Sequence, residues 1–408
     1  MTNRRNFLLA AASACVSGAT AADTAERPDN IGWKPHFVRK GNGRAGWTYQ
    51  PAQYQFLHRP DGRYVMGFGL AQMDNGEVIF AGSWHNDSNE RADLAEKPVV
   101  AFSRDAGATW TDLQVIEGAA GRPVMLTYLG KGELFFQTDL EKKISQHFSH
   151  DYGRKWERRL LQPANNGENF SVEGNAVVDR DAQGKIIRIG AIGYNLPKGT
   201  KYPEDPTHAM IRWSMDGGIT WTNETSPSVW RWQEQYEGKT YTRSVSEGSL
   251  VRARNGWLVA ALRTDMPAKF FKYKNDNLEG TGISISKDDG KTWSPIQLLY
   301  AAGRMHAHLL RLPNGTLVLT HIMRQDIENG RLASYRRGCG AILSRDNGQT
   351  WDMGGRYVLD EFEYSDGKRN TTVCGHLYST LLDDGSILTC YGNYVSKGAA
   401  LIRWRADG

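Results

Sequence analysis

The sequence is poor in the features that mark several common classes of protein. Its 408 residues include only 4 cysteines, too few for a disulfide scaffold. No stretch reaches the ~18 consecutive apolar residues that a transmembrane helix needs. Neither a Gly-X-Y period nor a long heptad register is present, which excludes collagen-like and coiled-coil chains. Lysine and arginine form no stripe, and a formal net charge of +5 is too small to indicate a nucleic-acid partner.

Aromatic residues and glycine, by contrast, are abundant. The chain carries 13 Trp, 17 Tyr and 13 Phe, and that much apolar surface excludes a disordered protein. Its 44 Gly suggest many tight turns between short strands. Length alone predicts two or three domains.

The first 22 residues are typical of an export signal. Arg4 and Arg5 precede a short apolar stretch, and small residues lead to an Ala-x-Ala cleavage site before Ala22. The pattern Arg-Arg-x-Phe-Leu resembles a bacterial twin-arginine signal, which predicts a periplasmic or secreted protein. An ordinary secretion signal and a lipid anchor at Cys15 are the alternatives. The cysteines that remain after cleavage are odd in number and lack paired spacing, so they predict neither a cysteine metal site nor a disulfide framework. We expect no cofactor.

An octapeptide, Ser-x-Asp-x-Gly-x-Thr-Trp, recurs five times, broken only by Lys155. The copies span residues 103–110, 149–156, 214–221, 286–293 and 344–351. The Asp carboxylate can accept backbone N–H groups in a tight turn, and the Gly permits a positive φ. The Trp offers an apolar face between neighbouring sheets. The repeat therefore predicts a structural turn that occurs once in each unit of a repeated fold.

This octapeptide resembles the Asp-box of the sialidase superfamily, a group of β-propeller proteins. In that family the boxes lie on the face away from the active site. The resemblance implies a propeller fold and assigns no catalysis to the boxes.

Six segments predict hairpins, because apolar residues alternate around a glycine turn. They span residues 68–82, 124–137, 174–193, 249–263, 309–321 and 379–391. We therefore predict an all-β, six-bladed propeller of four-stranded antiparallel blades, folded as a single domain over residues 23–408. The sixth blade lacks an outermost strand at the C-terminus, and residues 37–48 are expected to supply it and close the ring.

In a propeller, the inner strand of each blade begins beside the central channel and the second strand ends there. The residues that flank the hairpins are therefore candidates for a site. Many of them are ionisable, which indicates a polar ligand rather than a core. The candidates for substrate binding include Glu173, His306, His308 and His376.

Two of these segments resemble those of exo-sialidases. A Glu-to-Arg hairpin implies that Glu247 activates a tyrosine and that Arg263 binds the substrate carboxylate. A Tyr-Ser segment implies that Tyr378 is the nucleophile, as in sialidases generally. Arg336, eight residues before the fifth box, matches a further arginine that binds this carboxylate.

The first blade departs from the family pattern. Met66 stands where the family has its first arginine, and Arg63 is out of register. The acid that protonates the leaving oxygen is expected on a loop of this blade, where Asp87 and Asp93 are both candidates. Asp87 is the preferred one.

The fifth blade carries a second departure. His306 and His308 are two residues apart, which predicts that both lie on one face of a strand. They could bind sugar hydroxyls, act as acid and base, or hold a metal together with His321.

The resemblance implies an exported, monomeric exo-glycosidase that releases a terminal acidic sugar, such as sialic acid, from a glycan. Two other functions stay open on the sequence. One is a glycosidase or lyase that acts on a uronate- or rhamnose-containing polysaccharide through the channel histidines. The other is a carbohydrate-binding propeller without catalysis.

Overall fold

The computed structural model describes residues 32–43, 46–59, 62, 64–85, 96–140, 143–199, 206–236, 238–265, 279–328, 331–364 and 373–407. Within these ranges the chain forms β-strands and a 3₁₀ turn at Ser228–Trp230, and it contains no α-helix. Nothing in them forms a helix long and apolar enough to cross a bilayer. The predicted export signal lies outside the described residues.

The strands are short and follow one another closely. The first fifteen are β1 (Lys34–Gly41), β2 (Trp47–Leu57), β3 (Tyr64–Gln72), β4 (Val78–His85), β5 (Lys97–Ser103), β6 (Gln114–Val115), β7 (Val124–Gly130), β8 (Glu133–Leu140), β9 (Lys143–Ser149), β10 (Glu157–Leu160), β11 (Ser171–Val172), β12 (Val177–Arg180), β13 (Ile186–Asn195), β14 (His208–Ser214) and β15 (Thr222–Thr225). The others are β16 (Trp232–Tyr236), β17 (Lys239–Arg252), β18 (Leu258–Asp265), β19 (Gly280–Ser286), β20 (Gln297–Tyr300), β21 (Arg304–Arg311), β22 (Leu317–Met323), β23 (Asp326–Glu328), β24 (Arg331–Ser334), β25 (Arg336–Ser344), β26 (Tyr357–Glu363), β27 (Cys374–Leu381), β28 (Ile387–Asn393) and β29 (Gly398–Trp404).

Four antiparallel sheets follow chain order: β3 to β6, β7 to β10, β11 to β15 and β16 to β20. A nine-stranded sheet contains two more four-stranded arrays, β21-β22-β25-β26 and β27-β28-β29-β2, which β1 joins by pairing with both β26 and β2. The six predicted hairpins are confirmed, because each glycine turn connects a pair of antiparallel strands.

The octapeptides form the predicted turns. In the first copy the Ser103 hydroxyl donates to Asp105 at 2.8 Å and accepts the Gly107 N–H at 2.7 Å. The Asp105 carboxylate accepts the backbone N–H of Thr109 at 2.8 Å. The corresponding backbone bond recurs at Asp151, Asp216, Asp288 and Asp346. The structural role expected of the repeat is therefore confirmed.

The glycines of the octapeptides pack against the preceding sheet. Gly348 has φ +89°, and a Cβ there would lie 2.9 Å from a methyl group of Val259 on β18. A Cβ at Gly107 would lie 3.3 Å from Leu388 on β28, and Gln55 on β2 donates to the Gly107 carbonyl. The first array therefore contacts the last, and the arrangement closes on itself.

The strand that completes the last array is not the predicted one. The prediction of residues 37–48 was wrong, because β2 (Trp47–Leu57) pairs with β29, from Gln53 opposite Arg403 to Leu57 opposite Ala399. The predicted segment instead covers the end of β1, a turn and the start of β2. Alternation along the chain identifies a strand but does not identify its distant partner.

Candidate active site

Bulges in the inner strands direct ionisable side chains into one pocket. The hydrogen-bonded registers of β17, β21 and β27 each shift once, and the residues at these shifts include Glu247, His306 and His376. A bulge adds an unpaired residue and re-aims its side chain. Together with Glu173, which follows β11, these residues line a pocket whose wall also includes Tyr378.

The backbone at two of these positions is unusual. His306 has φ 50° and His376 has φ 49°, a left-handed backbone conformation that residues other than glycine rarely adopt. Such a conformation persists only where the surrounding structure enforces it, and it clusters at functional sites. The fold therefore tolerates strain in order to hold these two imidazoles in the pocket.

The four ionisable side chains form one buried cluster. Nδ1 of His306 lies 2.9 Å from Oε2 of Glu247 and 3.7 Å from Oε2 of Glu173. Nδ1 of His376 lies 3.0 Å from the same Glu173 oxygen. Among the described residues, neither of these Oε2 atoms has a hydrogen-bond partner of acceptable geometry. Burying such groups costs stability, so the cluster favours a functional role over a structural one.

Burial opposes the charge of both carboxylates, yet their neighbours keep them ionised. Burial alone would raise the pKa of Glu247, but Arg263 and His306 lower it to about 2. In the same way His376, His306 and Arg122 outweigh burial and hold the pKa of Glu173 well below its ordinary value. The pocket therefore presents two carboxylate anions near neutral pH.

The two imidazoles differ in their affinity for protons. Burial lowers the pKa of His376 to about 4, against the opposing effect of Glu173. Burial also lowers the pKa of His306, but the charge of Glu247 more than compensates and the net shift is upward. His376 is therefore neutral at pH 7, and His306 is the group that favours a proton.

Arg263 is surrounded by acids. Its guanidinium donates to Glu247 on one side and to Glu279 on the other. Its Nε lies 3.5 Å from Oδ1 of Asp265, and all four side chains are at most 10% exposed. The arginine that the resemblance assigns to a substrate carboxylate is therefore engaged by three carboxylates of the protein itself.

Arg324 determines where His306 carries its proton. Nη2 of Arg324 lies 2.8 Å from Nε2 of His306. A guanidinium only donates, so Nε2 accepts this bond and Nδ1 carries the imidazole proton. Nδ1 is also the ring nitrogen that lies nearest Glu247 and Glu173.

The same contact bears on metal binding. Glu173, His306 and His376 bring one ligand atom each within 4.8 Å of one another, a spacing that a metal ion could bridge. A ligating imidazole needs a lone pair on the metal side and an N–H on the other side. In His306 that N–H would face Arg324, which cannot accept it. His306 therefore fits a proton donor and does not fit a metal ligand.

Tyr378 lies in the pocket wall with its hydroxyl bound to the backbone. The hydroxyl donates to the carbonyl of Glu173 and accepts the N–H of Met125 at 3.0 Å. The residue is 2% exposed, and burial raises the pKa of the phenol far above its ordinary value. Between these described residues, no hydrogen bond joins Tyr378 to Glu247, although the resemblance implies one.

The other predicted residues lie elsewhere. The expectation that His306 and His308 share a face was wrong, because the register of β21 shifts between Met305 and His308. His308 is 4% exposed, packs its ring 5.2 Å from that of Tyr378, and does not line the pocket. Arg336 is exposed at the start of β25 and is not among the residues that line this pocket. Asp87 and Asp93 lie outside the described residues.

Two residues of the site were not expected from the sequence. Arg324 follows β22 directly, and the rule that second strands end at the channel could have reached it, three residues beyond His321. Glu279 precedes β19, and no local pattern marks it. Its importance becomes visible only through its contact with Arg263.

Comparisons with known proteins support the fold. No protein-family model and no curated protein matches the chain. A protein of unknown function from Dyadobacter fermentans matches with a TM-score of 0.61 at 18% identity, over 90% of this chain and 99% of that one. The Hadza microbial sialidase Hz136 matches with a TM-score of 0.55 at 14% identity, over 84% of this chain and 66% of that one. The α-L-arabinanase of Penicillium chrysogenum, solved with arabinobiose, matches with a TM-score of 0.51 at 14% identity, over 92% of this chain and 98% of that one. At these identities the likeness concerns the fold alone, and it confirms an all-β propeller.

Proposed function

We propose that the protein hydrolyses glycosidic bonds in its central pocket, with Glu173, His306 and Glu247 as the catalytic groups. The observation that carries this proposal is the position of His306 between two buried, ionised carboxylates. Pairs of titratable groups whose surroundings drive their pKa values apart are the usual basis of acid–base catalysis. The sialidase-like fold, which also occurs in an arabinanase, is compatible with this chemistry.

In the proposed reaction His306 acts as an imidazolium, whose second proton is on Nε2 once the bound substrate has released the contact with Arg324. Nδ1 then gives its proton to the leaving oxygen as the bond to the anomeric carbon breaks, which leaves a neutral imidazole. Glu247 stabilises the protonated imidazole, as the carboxylate of a catalytic triad does. Glu173 stays anionic and attacks the anomeric carbon or activates water there. Water finally supplies the hydroxyl group of the released sugar, and its proton restores His306. The net reaction consumes one water for each bond cleaved.

A sialidase-type mechanism is the second candidate. It is favoured by one observation, that Tyr378 and Glu247 line the same pocket. It requires the Tyr378 hydroxyl to break its hydrogen bonds to the backbone of Glu173 and Met125 and to lose its proton.

Catalysis by the channel histidines on a uronate-containing polysaccharide would use His306 and His376 instead.

The test is a screen for released sugar over sialosides, arabinans, rhamnosyl-glucuronides and plant and algal polysaccharides. On any substrate that is cleaved, Glu173→Gln, Glu247→Gln and His306→Gln are expected to lower kcat by about 10²–10⁴-fold. Glu157→Gln, an exposed change on β10, is the matched control. Full activity in both Glu173→Gln and Glu247→Gln would refute the proposal.

Two further outcomes separate the alternatives. Loss of activity in Tyr378→Phe, on a sialoside, would favour the sialidase-type mechanism. Glycan binding without any product would favour a carbohydrate-binding propeller.

We also infer that the ring has six blades and that residues 23–408 form one domain. The nine-stranded sheet supports this, because it divides at β1 into two four-stranded arrays like the other sheets. Export by the twin-arginine route stays a prediction from residues 1–22. Arg4→Lys with Arg5→Lys is expected to retain the protein in the cytoplasm of a bacterial host, measured by fractionation.

A further inference from the structure

The arginine beside the pocket is neutralised before any substrate arrives. Glu247 and Glu279 accept from the two ends of the Arg263 guanidinium, and Asp265 lies 3.5 Å from its Nε. Asp265 is itself held by the hydroxyls of Thr207 at 2.7 Å and Ser246 at 2.9 Å. This arrangement is buried, so Arg263 cannot turn toward a ligand without giving up its ion pairs with these carboxylates.

Carboxylates are concentrated around the pocket. The described residues joined by these contacts include five of them, Glu96, Glu173, Glu247, Asp265 and Glu279, together with Arg122, Arg263, Arg324 and the imidazoles of His306 and His376. Arg122 faces two of the acids, Glu96 at 3.6 Å and Glu173 at 3.9 Å. Glu173 and Glu247 line the pocket itself, and the lowered pKa values of both carboxyl groups keep them ionised.

We infer that the sugar unit that enters this pocket is uncharged. A sugar carboxylate would lie beside Glu173 and Glu247, and like charges at such distances in a buried site repel strongly. The hydroxyl groups of a neutral sugar, by contrast, can donate to the carboxylates that line the pocket without bringing a further negative charge. The inference rests on the proposed function for the place where the sugar binds, and it assigns the substrate to neutral glycosides rather than to sialosides or uronides.

Matched pairs of methyl glycosides test this inference directly. The glucoside and glucuronide, and the galactoside and galacturonide, differ in each pair by one carboxylate; the arabinoside and a methyl sialoside complete the panel. Calorimetric titration of the full-length protein is expected to show at least tenfold tighter binding of the neutral member. An acidic member that binds as tightly as its neutral partner would overturn the inference, and so would a panel in which no sugar binds.

A variant of the Arg263 surroundings tests the cause. Glu279→Gln keeps the shape of the side chain and removes one negative charge. It is therefore expected to lower the ratio of the neutral member's affinity to the acidic member's affinity at least threefold. Glu157→Gln, which pairs with Arg159 on the exposed edge of β10, is the control and is expected to leave the ratio unchanged. An unchanged ratio in folded Glu279→Gln would overturn the inference. Asp265→Asn tests the same point if Glu279→Gln does not fold.

The outcomes distinguish this inference from the proposed hydrolysis. Tight binding of neutral sugars without cleavage would refute the hydrolysis and support the inference. Cleavage of a sialoside or uronide would support the hydrolysis and refute the inference.

Discussion

His306 is held by contacts on opposite sides of its ring. Arg324 occupies Nε2 at 2.8 Å, and Glu247 faces Nδ1 at 2.9 Å. The arginine opposes a second proton on the ring, whereas the carboxylate favours one. Arg324 is therefore a positioning residue, which acts on the proposed reaction through His306.

Replacing Arg324 by methionine is expected to raise the pKa of His306 further, because the guanidinium charge now lowers it. NMR titration of the histidine-labelled protein measures this pKa without a substrate. Arg324→Lys is the matched control, since it keeps the positive charge. A lower pKa for His306 in Arg324→Met would contradict the assigned contact.

His308 belongs to the core, and burial lowers its pKa from 6.5 to about 3. The folded protein therefore resists protonation there, whereas the unfolded chain takes up a proton below pH 6.5. Stability from this group is present above pH 6.5 and is lost as the pH falls toward 3. By pH 5 the loss is about 2 kcal/mol.

His308→Gln is expected to remove that part of the pH dependence. Urea unfolding at pH 7 and pH 5 measures it, with His150→Gln as the control at an exposed histidine. The same loss of unfolding free energy in His308→Gln as in the wild type would show that His308 is not the group responsible.

Among the secondary-structure elements, the sequence predicts the turns and hairpins correctly, whereas it does not predict the contacts between distant residues. The octapeptide turns and the glycine hairpins follow from residues close together in sequence, and the structure confirms both. The bulge that separates His306 from His308 interrupts strand alternation, which sequence periodicity assumes throughout. The neutralisation of Arg263 depends on Glu279, which precedes the neighbouring strand β19, and no motif marks this contact.

The packing of the octapeptide turns between sheets can be tested with two glycines. Gly348 and Gly256 have nearly the same φ, +89° and +88°, but a Cβ would meet Val259 at 2.9 Å only at Gly348. Both alanine variants carry backbone strain of about 1–2 kcal/mol, and Gly348→Ala adds overpacking of about 1–3 kcal/mol. Urea unfolding is expected to rank Gly348→Ala as the less stable. Equal losses would show that the turn does not pack tightly on β18.

At the scale of the molecule, the ring is closed by chain segments from both ends. β2 completes the array that contains β29, and β1 bridges it to β26. Without them, two strands would present unpaired edges, which are prone to association.

Deletion of residues 1–57 is therefore expected to abolish cooperative thermal unfolding and to promote aggregation. Deletion of residues 1–30 is the control, because it keeps β1 and β2. Calorimetry and size-exclusion chromatography measure the two effects. A single sharp transition at the temperature of the control would mean that the ring does not need these strands.

We propose that Glu173 is the carboxylate that acts on the anomeric carbon. Chemical rescue tests this role, because a small anion can take the place of a deleted carboxylate. On a cleaved substrate, Glu173→Ala is expected to lose activity and to regain part of it in sodium azide or formate, whereas Tyr378→Phe is expected to need no rescue. Retained activity in Glu173→Ala without added anion, together with inactive Tyr378→Phe, would contradict the claim.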